Sequence, residues 1–168
     1  MSESPVVVVV SGSQSNIIQP QIYTNLSIVY NPSDIVSAKS EADFYNSVIQ
    51  TSNYDSDSIY GFVSANTNLN YENSITRIVE FFQRNEHINI VVCDMVTPYG
   101  GFNAYKHVHP NIIHENIPFF IRGSTLKQLK FSDKNNILQE ALTQLIQMDE
   151  IIFHIAEPLI IKLQESSA

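Results

Sequence analysis

A chain of 168 residues with a formal charge of −8 has the length of one ordinary domain, which at this size buries roughly 70% of the surface of its extended chain. The apolar fraction of 43% supports one sizeable core. The acidic balance argues against non-specific attraction to nucleic acid or to an anionic membrane surface, because both require positive potential.

The elements follow in chain order. Val6 to Val10 is a continuous β-branched run closed by Ser11-Gly12-Ser13, the pattern of a strand buried on both faces and usual in parallel sheets. Leu26 to Tyr30 is a second strand, closed by Asn31-Pro32-Ser33-Asp34, where Pro32 pushes Asn31 into an extended conformation. Ser40 caps a helix expected to run to about Thr51, with Glu41 and Asp43 at its positive end and Phe44, Tyr45, Val48 and Ile49 on its apolar face.

Ile59 to Val63 reads as a third strand, followed by an Asn-rich loop from Asn66 to Asn70 and a helix from Tyr71 to Arg84 that buries Ile75, Ile78, Val79 and Phe82. Ile88 to Cys93 is a fourth strand ending at Asp94. The segment from Val96 to Asn116 is loop-rich and carries Gly100, Gly101, His107, His109 and His114. Pro118 to Arg122 resumes a strand, and Gly123-Ser124 leads into a short helix. Asn135 to Met148 is an amphipathic helix. Ile151 to Ile155 and Leu159 to Leu163 are strands broken by Glu157-Pro158, and Glu165 to Ala168 is expected to fray. This order predicts a single α/β domain over residues 1–168, with a mainly parallel or mixed central sheet flanked by helices.

Cys93 is the only cysteine, so no intrachain disulfide forms, and its apolar neighbours suggest a small core residue rather than a nucleophile. The run Val6 to Val10 is too short for a secretory signal or a membrane span, so the cytoplasm is the expected compartment. Asn and Ile are abundant while Gly and Arg are sparse, a bias expected of an AT-rich coding genome.

Read together, Asn46-Ser47-Val48-Ile49, Ile59 to Leu69, Ile88 to Asp94, Phe120-Ile121-Arg122-Gly123-Ser124, Phe131-Ser132-Asp133 and Ile155-Ala156-Glu157-Pro158-Leu159 resemble the order of motifs in the family-two, A-type-fold nucleotide-sugar glycosyltransferases. The resemblance covers Asp43 to Leu163, and more weakly the two opening strands. It implies an A-type fold and a chemistry carried by acids: one carboxylate for the nucleotide base, an Asp-x-Asp pair for metal and diphosphate, and a general base in the late helix. A diphosphate leaving group needs a cation to take up its developing charge, and hard cations are held by anionic oxygen.

At the matched positions this sequence departs from the family. Asn31 stands at the base-binding position, Ser64-Ala65-Asn66 stands where Asp-x-Asp is expected, and the general-base position falls near Gln139, with Glu140 adjacent. Asn31, Ser64 and Asn66 remain able to hydrogen-bond a ligand, and as plain turn residues they need no ligand. Asp94, expected at a strand end, is the best surviving acid. Arg122 fits either a ligand phosphate or a structural ion pair. His107 and His109 are the weak metal candidates, against surface loop histidines. His154, between Phe153 and Ile155, reads as a hydrogen-bonded core or edge residue.

The leading expectation is thus a glycosyltransferase-like protein that has lost metal-dependent catalysis and serves as a binding or assembly component, in a virus by size and composition, within host cytoplasm or virion. Its expected partners are a nucleotide or sugar ligand and a protein partner or second copy, with no cofactor, nucleic acid or membrane. The alternatives are a divergent active transferase using a nucleotide-sugar donor, with Asp94 or Glu140 as base, and an unrelated α/β interaction module.

Overall fold

The computed structural model describes residues 4–10, 19–30, 46, 58–63, 67–96, 102–103, 118–130 and 137–162. The valine run forms β1 (Val6–Val10), with Val8 and Val9 fully buried. It pairs in parallel on both sides, with β2 (Leu26–Tyr30) and with β3 (Ile59–Val63). A strand with neighbours on both edges and a packed layer on each face has no position for a polar side chain, which explains the unbroken run.

The remaining elements are β4 (Thr67–Leu69), α1 (Ser74–Arg84), β5 (Ile90–Val96), β6 (Phe102–Asn103), β7 (Phe119–Arg122), α2 (Gly123–Leu126), α3 (Ile137–Gln147) and β8 (Ile152–Lys162). They complete one mixed sheet in the order β2-β1-β3-β7-β5-β8-β4, with β6 paired to β5. Of the two sheet types expected, the mixed one is found. β7 lies antiparallel between β3 and β5, whereas β5 and β8 are parallel to each other. Strands β1, β2, β3, β5 and β8 therefore all point the same way, and β4, β6 and β7 run against them.

Each face of the sheet carries its own apolar layer. On one face Ala141, Leu142 and Leu145 of α3 pack over Ile90, Val92, Phe62 and Phe119, with Phe62 and Phe119 stacked at 5.1 Å between ring centroids. On the other, Ile75, Ile78, Val79 and Phe82 of α1 cover Val8, Val63, Val91, Cys93 and Met95. These are the apolar faces expected of the two helices. Gly61 is required by a close approach: a Cβ there would lie 2.3 Å from the Phe120 ring, its cross-strand partner on β7.

Several boundaries differ from the sequence reading, and each difference has a tertiary cause. Within the expected loop from Asn66 to Asn70, residues 67–69 form β4, because Thr67 and Leu69 are buried where that strand pairs with Lys162 and Ile160. Helix α1 starts at Ser74 rather than Tyr71. The Ser74 hydroxyl accepts from the Tyr71 N–H and donates to the Leu159 carbonyl, and the Gln21 side chain caps the Ile75 N–H at 2.9 Å. Gln21 thus does from a distance what a local cap residue usually does.

The last two expected strands are one, β8, with an irregularity where a break was expected. Ile155 pairs with Cys93 and Ile160 with Met95, so residues 156–159 stand opposite Asp94 alone. Pro158 fits such a bulge because it has no N–H to contribute to a ladder. The displaced carbonyls of Pro158 and Leu159 are satisfied by the Asn70 side chain, the Asn70 N–H and Ser74. Of the helix expected from Ser40 to Thr51, only Asn46 is among the described residues, and it is helical.

Candidate functional site

Strand register defines one edge of the sheet. Val10 pairs with Tyr30 and with Val63, so the carboxyl ends of β1, β2 and β3 are level with one another. Gly61 and Val91 both pair with Phe120, which puts Cys93 level with Val63 and Asp94 one residue beyond it. Two strand spacings separate β3 from β5, or roughly 10 Å. Asp94 thus stands one residue beyond the level at which β1, β2 and β3 end, on the side where ligands usually sit in an open α/β sheet, although it lies within its own strand. The sequence reading had β5 stop at Asp94, but the strand continues to Val96 and pairs with β6 there.

Asp94 is 4% exposed and its carboxylate is bonded to Nε2 of His154. The cause is the parallel register of β5 and β8. His154 pairs with Val92, so Val92, Asp94 and His154 share the face covered by α3. The bulge removes a regular β8 partner from beside Asp94, and the imidazole reaches along the strand to fill that place. A buried carboxylate without such a partner would be costly. His154 is thus hydrogen-bonded and part-buried between the apolar Phe153 and Ile155, and its partner is the acid singled out independently.

Helix α3 runs against the parallel strands. At its end Glu150 donates its N–H to the Leu145 carbonyl, and Asn89, just before β5, donates from Nδ2 to the Glu150 carboxylate at 3.2 Å. The helix therefore ends at the amino edge. An 11-residue helix is about 16 Å long, so its first turn, which contains Gln139 and Glu140, lies on the same face and toward the same edge as Asp94.

Arg122 is not part of this edge. It pairs with Ile59 at the amino end of β3, and its N–H bonds to the Asn89 carbonyl. Its guanidinium donates to the carbonyls of Ile88, Phe82 and Asn85 at 2.8, 2.7 and 3.1 Å and lies 5.0 Å from the centre of the Phe82 ring. Arg122 caps the end of α1 at the opposite edge from Asp94, so the structure does not bring these two candidate site residues together.

Asn31, Ser64, Asn66, His107 and His109 lie outside the described residues. The strand ends that precede three of them, Tyr30 and Val63, belong to the carboxyl edge. Among the described residues no group of three or more His, Cys, Asp and Glu side chains is arranged to hold a metal, and no helix is long and apolar enough to cross a membrane. A shallow groove lined by Tyr71, Asn73, Arg77, Glu157, Pro158 and Leu159 lies on the α1 side of the bulge. Arg77 and Glu157 close a forked ion pair across it at 2.9–3.0 Å.

The buried thiol of Cys93 faces α1. Burial pushes its pKa well above the ordinary thiol range, and the neighbouring charges of Asp94 and Glu157 add to the shift. It is a core residue and not a nucleophile.

No known family model matches the sequence, and no curated protein does. Among solved structures, the crystal structure of A197 from STIV matches with a TM-score of 0.50 at 9% identity, covering 98% of this chain and 96% of that one. At that identity the likeness is one of fold alone.

Proposed function

We propose that this chain is a glycosyltransferase-like α/β domain that binds a nucleotide or nucleotide-sugar at the carboxyl edge of its sheet, has no metal-dependent transfer activity, and serves as a binding or assembly component of a virus. The observation that carries the reading is the level register of Val10, Tyr30 and Val63, with Asp94 one residue beyond on β5. Asn31 and Ser64-Ala65-Asn66 follow directly on two of these strand ends in the sequence, so amides and a hydroxyl follow the strands where the resemblance calls for carboxylates. Asp94 is engaged by His154, and one carboxylate so engaged is a poor start for a hard-cation site. The fold shared with A197 from STIV along nearly the whole chain supports the viral setting.

A divergent active transferase is the second reading, favoured by the direction of α3, which brings Glu140 to the face and edge of Asp94. Titration calorimetry with uridine and guanosine diphosphates, with and without manganese, separates the two. The leading reading expects binding of at least one nucleotide with the same affinity in both conditions. Binding that requires manganese would sink it and favour the enzyme.

A further inference from the structure

We propose that the outer edge of β8 from Ile151 to Ile155 is a self-association surface, on which a second copy of this chain adds its own β8 antiparallel across a two-fold axis at Phe153. This gives the assembly role proposed above a surface and is independent of nucleotide binding at the carboxyl edge. The sheet order ends in β4, but β4 covers β8 only at Ile160, Ile161 and Lys162. Further back, Ile152 to Ile155 pair with β5 on one side. Among the described residues no strand lies on the other side, so a row of backbone N–H and C=O groups faces outward there.

The side chains along this row are poorly suited to water. Ile151 is 76% exposed and Phe153 is 39% exposed, and Phe153 continues onto Phe81 of α1 with 4.9 Å between ring centroids. Edge strands left to solvent are ordinarily guarded by a charge, a proline or a bulge. Ile151-Ile152-Phe153-His154-Ile155-Ala156 has no Lys, Arg, Asp, Glu or Pro, and the guards of β8 begin only beyond it, with Glu157, Pro158 and the bulge. The slot ends where Asn70 bonds the carbonyls of the bulge, so it takes a short strand such as this stretch itself provides.

The choice of a second copy comes from the same residues. Centred on Phe153, the stretch is nearly self-complementary: Ile151 falls opposite the second copy's Ile155, Ile152 opposite its His154, and Phe153 opposite its own counterpart, with Cβ atoms about 5 Å apart. Residues directly opposite share a face, so the two Phe153 rings meet on the α1 side, each flanked by a Phe81 ring. In this register Glu150 meets Ala156, whereas a slip of one residue sets it against Glu157. A two-fold pairing uses the same edge on both copies, so assembly closes at the dimer.

Sedimentation velocity of the full chain, from low micromolar to a few hundred micromolar, is the test. The formal charge of −8 opposes association, so the runs are made at about 0.3 M salt, where screening acts within roughly 6 Å. A reversible equilibrium of monomer and dimer is expected. Phe153→Lys, which sets like charges opposite each other, and Ile151→Lys should each weaken it at least about tenfold. Mild oxidation should cross-link Phe153→Cys, whose thiols face each other across the axis, and not Ile152→Cys, which lies opposite His154. Cys93 is buried and stays out of the reaction. A chain monomeric throughout, growth beyond the dimer, a dimer indifferent to Ile151→Lys, or cross-linking at Ile152→Cys and not at Phe153→Cys overturns the proposal. Ile151 is so exposed that its variant decides the matter even where Phe153→Lys does not fold. Each of these outcomes leaves the nucleotide reading standing, since calorimetry decides that separately.

Discussion

Cys93 and Asp94 are neighbours in sequence that face opposite layers of the sheet, and the difference decides their chemistry. Cys93 is enclosed by the α1 layer, so its thiol stays protonated in the folded chain at a pH where the unfolded chain's thiol, at its ordinary value of 9.0, ionises. The unfolded state then releases a proton that the folded state keeps. The stabilising contribution is complete below that pH and is lost as pH rises, at a slope approaching about 1.4 kcal/mol per pH unit. Urea denaturation at intervals from about pH 8 to about pH 10.5 should therefore show a steeper decline in the wild type than in Cys93→Ala. Equal slopes would mean that the thiol ionises in the folded protein. The burial of Cys93 was legible from Val91 and Val92 beside it. The pairing of Asp94 with His154 was not, because it depends on a register between strands 60 residues apart in sequence.

Among the elements, α1 shows what periodicity reveals and what it leaves out. Its apolar face is plain in the spacing of Ile75, Ile78, Val79 and Phe82, whereas its ends are set by groups far away in the chain. Gln21 and Leu159 fix the start, and Arg122 fixes the finish. No local pattern could have placed those boundaries. Replacing Arg122 with Met should take the guanidinium from the carbonyls of Ile88, Phe82 and Asn85, of which Phe82 and Asn85 keep a backbone donor, and lower stability by about 1–2 kcal/mol, read as a shift in the urea midpoint. Nucleotide binding by the folded variant should be unchanged, since Arg122 lies at the other edge. A loss of binding with stability intact would return Arg122 to the site. α3 ends by a comparable long-range tie, through Glu150 to Asn89, but its last turn also closes locally. Asp149 adopts a left-handed conformation with φ of 61°, while its own N–H and that of Glu150 bond back to Ile146 and Leu145.

In the whole molecule one sheet serves two cores. β5 contributes Ile90 and Val92 to one layer and Val91, Cys93 and Met95 to the other, so neither layer can be lost while the other keeps its floor. Unfolding should accordingly be a single transition, with far-ultraviolet dichroism and tyrosine fluorescence giving coincident urea curves. Separated midpoints would mean that one layer melts on its own. The α/β class and the order of the main elements were legible because doubly buried strands and amphipathic helices leave strong local patterns. The antiparallel placement of β7 was not, since a short apolar strand such as Phe119 to Arg122 reads the same in either direction. Asp94 and His154 were legible as separate residues of interest, and only the fold joins them.

The bulge in β8 gives the sheet slack. Four residues of β8, Ala156 to Leu159, cover the ground of one residue of β5, and with Leu159 anchored in the α1 layer and by Asn70 and Ser74, the exposed Ala156 ahead of it is where the chain can lengthen with the least disturbance of the strands on either side. Most positions in a packed sheet have no such freedom, because a single insertion reverses every side chain that follows. Here the adjustable stretch lies beside the His154 and Asp94 pair and ahead of the segment that carries β8 to β4. The reach of the imidazole toward Asp94 could therefore change by insertion or deletion within the bulge while the paired segments on either side kept their register.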